Sequence, residues 1–247
     1  MPKQGPSKTP GKKAGRAPAA EPPEPSIDVI ALDGPAGVGK STVARALAER
    51  LGYYFLSSGL IYRVMAWWLA EAGWDGASPP DAARLDSLSL RIGADGQPIV
   101  NGAPVRANLR DERISALTSR VSAFPAVRER SNRVQREIVA ALGRAGTFPG
   151  VVLEGRDIGT VVFPEAARKF FVTASDEVRA ERRWLELREK EPGVSREAVL
   201  AAMRERDERD RTRAVAPLRP AGDAITIDTS HLSIEQVLAA ILARLPK

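Results

Sequence analysis

Cysteine is absent from this 247-residue sequence, and histidine occurs once, as His231. Without cysteine the chain can form neither a disulfide nor a thiolate nucleophile, so a reducing compartment is the expected setting. A single histidine has no partners for a His-based metal site or a Ser-His-Asp triad, which excludes both. No uninterrupted apolar stretch approaches the roughly 20 residues of a membrane-spanning helix. These absences favour a cytoplasmic protein without a membrane partner.

The excess of positive charge is small and unevenly placed. The formal net charge is +6, and half of it lies within residues 1–27. The remainder is too small to predict specific binding of nucleic acid. Residues 1–26 are rich in Pro, Gly, Ala and Lys and hold almost no large apolar side chain, so we predict a disordered basic tail. An inert solvated tail is favoured over one that touches RNA or acidic surfaces weakly.

The segment from Gly34 to Ser41, GPAGVGKS, matches the phosphate-binding pattern G-x-x-x-x-G-K-[ST]. A β-branched run at residues 27–32 precedes it and predicts a buried strand, and a helical pattern at residues 42–51 follows. Glycine lets successive backbone N–H groups converge on one anion, and the helix N-terminus adds partial positive charge. Lys40 should reach the β- and γ-phosphates, and the Ser41 hydroxyl should bind Mg²⁺. A chance glycine-rich turn is the weaker interpretation, because the strand and helix flank the loop as a P-loop requires.

Five short apolar runs alternate with helical patterns and predict a doubly wound α/β fold with a five-stranded parallel sheet and helices on both faces. The runs lie at residues 27–32, 53–56, 151–153, 169–172 and 224–228. Residues 88–105 instead carry shorter runs broken by Asp-Gly and Asn-Gly, which predict an inserted antiparallel meander. Ser58 is expected to cap the helix after the second strand, and residues 143–150 are expected to form a loop.

Arg156 and Asp157 directly follow the third of these strands. Ligands of open parallel sheets bind at the carboxyl ends of the strands. The arginine could therefore hold a phosphate, and the aspartate could accept from a sugar or a base amino group. This interpretation is favoured over a purely structural ion pair.

Arg206, Asp210 and Arg213 are spaced so that they share one helix face. Two guanidiniums beside a carboxylate could clamp phosphates during phosphoryl transfer. A solvated helix with i,i+4 salt bridges explains the same pattern equally well. The base-reading motif Asn-Lys-x-Asp is absent, which disfavours a GTPase.

Five blocks of sequence resemble the bacterial cytidylate (CMP) kinases. They are residues 33–42 (DGPAGVGKST), 58–63 (SGLIYR), 121–128 (VSAFPAVR), 154–164 (EGRDIGTVVFP) and 206–217 (RDERDRTRAVAP). The resemblance extends from Ile27 to the end of the sequence, and its last two blocks are long and specific. It implies transfer of the γ-phosphoryl group of ATP to CMP or dCMP, with Mg²⁺, in pyrimidine nucleotide metabolism.

The resemblance also implies roles for individual residues. The positions implied to bind ATP are Gly34, Pro35, Ala36, Gly37, Val38, Gly39, Lys40, Ser41 and Thr42. Those implied to line the monophosphate site are Ser58, Arg63, Ser119, Arg128, Arg156, Asp157, Asp210 and Arg213. Arg63 and Arg128 would hold the acceptor phosphate, whereas Ser119, Arg156 and Asp157 would read the cytosine. Asp210 and Arg213 would reach the ribose and phosphate, with Arg206 near the transferring group. The implied catalytic set is Lys40, Arg156, Arg206 and Arg213.

The same resemblance implies a division of residues 27–247. The core would comprise residues 27–57, 143–178 and 214–247, the small α+β monophosphate-binding insert residues 58–142, and the short helical lid residues 179–213. A monomer is expected. Two positions depart from the family pattern: Ser57 and Glu154 each stand where many relatives have Asp. Glu154 reaches one methylene further than Asp, so the support of Mg²⁺ should differ from that in those relatives.

Two other functions stay open from the residues. A kinase acting on another monophosphate or on a small metabolite would use the same loop. A regulatory or nucleic-acid-binding P-loop module would instead use the basic tail.

Overall fold

The computed structural model describes residues 27–93, 95–189 and 193–246. Its strands are β1 (Asp28–Asp33), β2 (Tyr54–Ser57), β3 (Leu90–Ile92), β4 (Pro98–Val100), β5 (Ala103–Pro104), β6 (Gly150–Gly155), β7 (Arg168–Thr173) and β8 (Ile225–Asp228). Five of them form one parallel sheet in the order β2-β6-β1-β7-β8. The predicted five-stranded parallel sheet is therefore confirmed, with β1 at its centre.

The helices that pack around this sheet are mostly started by side-chain caps. They are α1 (Lys40–Leu51), α2 (Ser58–Ala70), α3 (Ala82–Asp86), α4 (Glu112–Val121), α5 (Pro125–Ala145), α6 (Asp176–Arg188), α7 (Arg196–Thr212) and α8 (Ile234–Leu242). Oxygens of Asp81, Asp111, Ser175, Ser195 and Ser233 accept backbone N–H groups at the starts of α3, α4, α6, α7 and α8. Each such cap stabilises its helix by about 1 kcal/mol.

The sheet buries both faces because successive side chains of a strand point to opposite sides. Ile30 and Leu32 of β1 pack in a core formed with α1 and α8. Ala31, between them, belongs to a second core formed with α2, α4 and α5. The predicted layers of helix on both faces are thus present. No helix in the described part of the chain is long and apolar enough to cross a membrane.

The predicted antiparallel meander is also confirmed, as a three-stranded sheet β3-β4-β5. Asn101 and Gly102 connect β4 to β5 with φ angles of 49° and 84°. Asn-Gly is the pair that tolerates two left-handed residues in succession, which a tight hairpin turn requires.

Three local predictions were incomplete or wrong. Ser58 does not cap α2 but is its first residue, and Ser57 before it turns its hydroxyl to Glu154 instead of to the helix. The expected loop at residues 143–150 is shorter, because α5 continues to Ala145 and ends at Gly146 in a left-handed conformation. The short α3 was not predicted. The predicted tail, residues 1–26, lies outside the described residues.

A π-helical turn (Ile158–Val162) follows β6, separated from it only by Arg156 and Asp157. Such turns are rare and frequently occur at functional sites. This one delivers the two predicted ligand-binding residues to the carboxyl end of the central strands.

Candidate active site

The glycine-rich loop between β1 and α1 has the conformation that the sequence requires. Gly34, Gly37 and Gly39 have φ angles of 150°, 77° and 84°, in the region that favours glycine. At Gly34 the space is also restricted, since an added Cβ would lie 2.0 Å from the carbonyl oxygen of Val172 in β7. This first glycine is therefore required for both its dihedral angles and its close approach to the sheet.

Lys40 is buried at the first position of α1, where its ammonium group donates to the Pro35 carbonyl oxygen at 2.6 Å. Burial lowers the pKa of Lys40 well below its ordinary value, and the positive charge of Arg156 lowers it further. The carboxylates of Glu154 and Asp33 oppose that shift. A phosphate oxygen in the loop would supply the negative charge that this buried cation lacks.

The two positions that depart from the family pattern contact each other beside the loop. Ser57 Oγ donates to Glu154 Oε1 at 2.6 Å, and Ser41 Oγ donates to the same oxygen at 3.0 Å. The shorter side chain at 57 thus accommodates the longer one at 154. Ser41 itself is exposed to the cleft, whereas Glu154 is buried.

This pair of oxygens suits a divalent cation bound mainly through substrate. Among the residues that the structure describes, no cluster of three or more His, Cys, Asp or Glu side chains could hold a metal by itself. Mg²⁺ keeps several waters and binds proteins through one or two oxygen ligands plus substrate phosphates. The hydroxyl of Ser41 and the carboxylate of Glu154 fit that coordination.

Asp210 joins two of the four arginines that were predicted to line the monophosphate site. Arg156 Nε lies 3.3 Å from Asp210 Oδ2, and Arg213 Nη1 lies 3.5 Å from Asp210 Oδ1. The predicted face of α7 thus points into the cleft toward the end of β6. An i,i+4 salt bridge of a solvated helix is also present, since Arg209 Nε lies 3.8 Å from Glu205 Oε1 and both side chains are exposed.

Arg128 and Asp157 form an ion pair buried below the cleft. The Arg128 guanidinium also donates to the Ser122 carbonyl oxygen at 3.1 Å and lies 5.8 Å from the ring centre of Tyr62. Arg63, predicted to share a role with Arg128, has different partners: it donates to the Leu109 carbonyl at 3.0 Å and to Ser115 Oγ at 2.8 Å.

The guanidiniums in this cleft raise one another's electrostatic energy. Burial, followed by the charge of Arg156, lowers the pKa of Arg206 to about 10. Burial and the charge of Arg128 lower the pKa of Arg213, and burial is the main cause of the lowered pKa of Arg63. Within the described residues, Arg206 has no carboxylate in ion-pair contact, and Arg213 Nη2 and Arg128 Nε are buried without a hydrogen-bond partner. The cleft therefore holds an excess of donors directed at an anion.

The two predicted serines lie at opposite borders of this cluster. Ser58 Oγ packs against Gly155, where an added Cβ would approach it to 2.8 Å. Ser119, on α4, accepts a hydrogen bond of 3.2 Å from Arg209 Nη1 of α7. Ser58 therefore lies beside the end of β6, and Ser119 lies beside α7.

Sequence reasoning missed three buried charged residues near the P-loop: Asp33, Arg179 and Asp207. Arg179 of α6 donates to the Ala36 carbonyl of the P-loop at 3.0 Å and pairs with Asp207 of α7, which fastens both helices to the loop. Asp33 accepts hydrogen bonds from the backbone N–H groups of Ile158 and Gly159. Arg179 also pairs with Asp176, and the i,i+3 spacing of these two residues is visible in the sequence. The other contacts depend on how distant segments pack, so the sequence carries no local signal for them.

Comparison with known proteins finds a matching family model and extensive sequence similarity. The family model for cytidylate kinase matches residues 30–247. A cytidylate kinase from Pseudomonas fluorescens (strain SBW25) is 46% identical over 227 residues, covering 88% of this chain and 94% of that protein. One from Pseudomonas aeruginosa (strain LESB58) is 44% identical over 223 residues, covering 88% and 94%.

Solved structures give weaker similarity. TT1252 from Thermus thermophilus is 24% identical with a TM-score of 0.43, covering 90% of this chain and 99% of that one. Shikimate kinase from Bacteroides thetaiotaomicron is 13% identical with a TM-score of 0.43, covering 88% and 96%.

Proposed function

The chain belongs to the cytidylate kinase family, and we infer from this membership and from the site that it transfers the γ-phosphoryl group of ATP to CMP or dCMP, giving CDP or dCDP and ADP. One observation carries the inference to the site itself. Burial, together with the charges of Arg156 and Arg206, lowers the pKa of Lys40, and Arg206 has no carboxylate in ion-pair contact among the described residues. Two phosphorylated substrates would supply the missing negative charge.

At the donor side, backbone N–H groups within Gly34–Thr42, where only Pro35 has none, would surround the β- and γ-phosphates. Lys40 would exchange its bond to the Pro35 carbonyl for a phosphate oxygen, which adds a charge-assisted hydrogen bond. The Ser41 hydroxyl and the Glu154 carboxylate would hold Mg²⁺ directly or through its water. When bound, this cation would neutralise charge that develops on the phosphoryl oxygens.

At the acceptor side, we divide the residues by their partners. Arg63, Arg156 and Arg213 would hold the acceptor phosphate, with Arg206 on the transferring group. The charges of Arg156 and Arg206 both act on Lys40, and that of Arg63 acts on Arg206. Arg213 shares Asp210 with Arg156. Arg156 would also adjoin the cytosine, as the family resemblance implies.

The base would lie deeper, against the buried pair of Arg128 and Asp157, with Ser119 nearby. Arg128 is committed to Asp157 and Ser122, so we assign it to the base and not to the phosphate. Asp210, which orients Arg156 and Arg213, would also reach the ribose, and Ser58 would border the phosphate.

The transfer requires no general base, because the acceptor phosphate is already an anion. Its oxygen attacks the γ-phosphorus while the bond to the bridging oxygen breaks, and ADP leaves with that electron pair. Arginines suit this step because they stabilise the developing charge without a proton equilibrium of their own.

Water must be excluded during the transfer, because it would otherwise hydrolyse ATP. We propose that the lid, residues 179–213, closes over the monophosphate-binding insert, residues 58–142, and so keeps water out. Both segments would be carried by the core, which comprises residues 27–57, 143–178 and 214–247. We further propose that the enzyme acts as a cytoplasmic monomer, which size-exclusion chromatography and fractionation would test.

The acceptor assignment is tested by a coupled assay of ADP release with CMP, dCMP, UMP, AMP and shikimate. We expect the highest kcat/KM with CMP or dCMP. Turnover of UMP, AMP or shikimate well above CMP would reject the cytosine assignment. If no acceptor is turned over and RNA binding depends on residues 1–26, the chain is a binding module instead.

The role of Arg156 is tested by Arg156→Ala. We expect kcat/KM for CMP to fall by about 10²–10³-fold, the range for removal of one donor to developing charge, with a much smaller change in KM for ATP. Arg204→Ala is the control. Arg204 lies on the exposed side of α7, where it pairs with Asp176 and Glu177, so this variant should retain parental activity. Equal losses toward both substrates would contradict the acceptor-side role of Arg156.

A further inference from the structure

Asp33 is the last residue of β1 and directly precedes the P-loop. Its side chain is buried, and it reaches across to the turn after β6. Oδ1 accepts the N–H of Ile158 at 2.8 Å, and Oδ2 accepts the N–H of Gly159 at 2.7 Å. One carboxylate therefore binds two consecutive backbone groups of the segment that begins with Arg156 and Asp157.

These two N–H groups are the first of the π-helical turn, and the first N–H groups of any helical turn lack partners within it. Later amides of the same turn are satisfied internally, since Val161 and Val162 both donate to the Asp157 carbonyl. Asp157, the residue before the turn, offers no side-chain cap because its carboxylate is paired with Arg128. The cap thus comes from another strand.

We propose that Asp33 is a positioning residue for phosphoryl transfer. Its ionised carboxylate caps the π-helical turn and thereby holds Arg156 and Asp157 at a fixed distance from the phosphate-binding loop that starts one residue later. This inference rests on the proposed function, since it assigns Asp33 a role in presenting the acceptor to the donor.

The ionisation of Asp33 is opposed by its surroundings. Burial, partly offset by the two N–H bonds, raises the pKa of Asp33 to about 6. Of the charged groups that face it, Asp157 favours the protonated form and Lys40 the ionised form. Lys169 of β7 packs its stem near Gly159, but its ammonium group pairs with Asp223. A protonated carboxyl would keep only part of its capacity to accept both N–H groups.

Asp33→Asn tests the role while preserving shape, because the amide retains one acceptor oxygen and places an NH₂ group against the second N–H. Loss of one hydrogen bond to a charged group predicts a fall of about 10- to 100-fold in kcat/KM for CMP. We expect KM for ATP to change much less. Asp28→Asn is the matched control, because Asp28 lies at the other end of β1, where it binds Tyr53 and Arg168. This variant should not lower kcat/KM for CMP selectively relative to its effect on KM for ATP.

The pH dependence of kcat/KM for CMP distinguishes positioning by the ionised Asp33 carboxylate from a merely structural role, which would not depend on ionisation of this group. The ratio of kcat/KM for CMP between parent and Asp33→Asn should be largest near pH 7.5 and fall by about five- to tenfold toward pH 5, where most of the parent carries a protonated Asp33. Titration of the CMP phosphate affects both proteins equally and cancels in this ratio.

The outcomes separate this inference from the proposed function. A parent enzyme that does not phosphorylate CMP would refute the proposed function and, with it, this role. If the parent phosphorylates CMP, two results would overturn the role of Asp33 alone. One is a ratio of kcat/KM for CMP, parent over Asp33→Asn, that does not change with pH. The other is a variant in which kcat/KM falls equally for CMP and for ATP. Circular dichroism at both pH values confirms that the proteins compared are folded.

Discussion

Arg209 Nη1 donates a hydrogen bond of 3.2 Å to Ser119 Oγ, and this contact joins α7 to α4 across the mouth of the cleft. The two helices lie in the segments that we propose as lid and monophosphate-binding insert. Ser119 and Arg209 are 90 positions apart in the sequence. The bond can therefore form only while the two segments face each other, which makes it a probe of closure.

A double-mutant cycle on this contact should give a measurable coupling. We expect Arg209→Ala and Ser119→Ala each to lower kcat/KM for CMP, with a coupling energy of about 1 kcal/mol, the usual net worth of a hydrogen bond. Arg211→Ala, an exposed residue on the same helix, serves as the control. Additive effects of the two alanine variants would show that the contact contributes nothing to catalysis.

The buried pair of Arg128 and Asp157 should be important for stability as well as for binding. Arg128→Met leaves the Asp157 carboxylate buried without its partner, for which we expect a loss of about 3–5 kcal/mol in the free energy of unfolding. Urea denaturation measures this loss. Removing both charges, in Arg128→Met with Asp157→Asn, should cost less than Arg128→Met alone, because no uncompensated charge is left. A larger loss in the double variant would contradict this account.

Two glycines of the P-loop should differ sharply in their tolerance of alanine. Both have φ angles in the left-handed region, so each substitution carries a backbone cost of about 1–2 kcal/mol. Gly39→Ala meets no atom within 4 Å, whereas the new Cβ of Gly34→Ala would meet the Val172 carbonyl. We expect Gly39→Ala to fold with roughly that backbone cost, and Gly34→Ala to lose several times more. Equal unfolding free energies would show that β1 and β7 can separate freely.

The stability of the protein should depend on pH through Asp33. The folded-state pKa of about 6 exceeds the ordinary value of 3.8, so the folded state binds this proton more tightly than the unfolded chain. The stability associated with Asp33 is then greatest below about pH 4 and declines as pH rises through 6. Near pH 7.5 the penalty amounts to about 3 kcal/mol. The free energy of unfolding of Asp33→Asn, relative to that of the parent, should therefore be higher at pH 7.5 than at pH 4, which urea denaturation at both pH values measures.

Much of the fold could be predicted from the sequence because its signals are local. The P-loop pattern, the β-branched runs and the Asn-Gly turn each depend on residues within a few positions of one another, and the structure has all of them. The family resemblance supplied the acceptor residues, which are far apart in sequence and share no periodic pattern.

The parts that were missed depend on contacts between distant segments. Whether Ser57 caps a helix or binds Glu154 is decided by strand β6, 97 positions later. The ion pair of Arg128 with Asp157 joins residues 29 positions apart, and nothing near Asp33 in sequence indicates that it caps a turn at residue 158. A buried charge selects its partner only after the chain has packed.

Strand β1 restricts where the length of this chain can vary. Ile30 and Leu32 face one core and Ala31 the other. Inserting or deleting a single residue there would exchange the two faces. The same shift would carry Asp33 away from the π-helical turn and Gly34 away from Val172. Engineered insertions, such as a fluorescent reporter, therefore belong at the exposed Asn101-Gly102 hairpin.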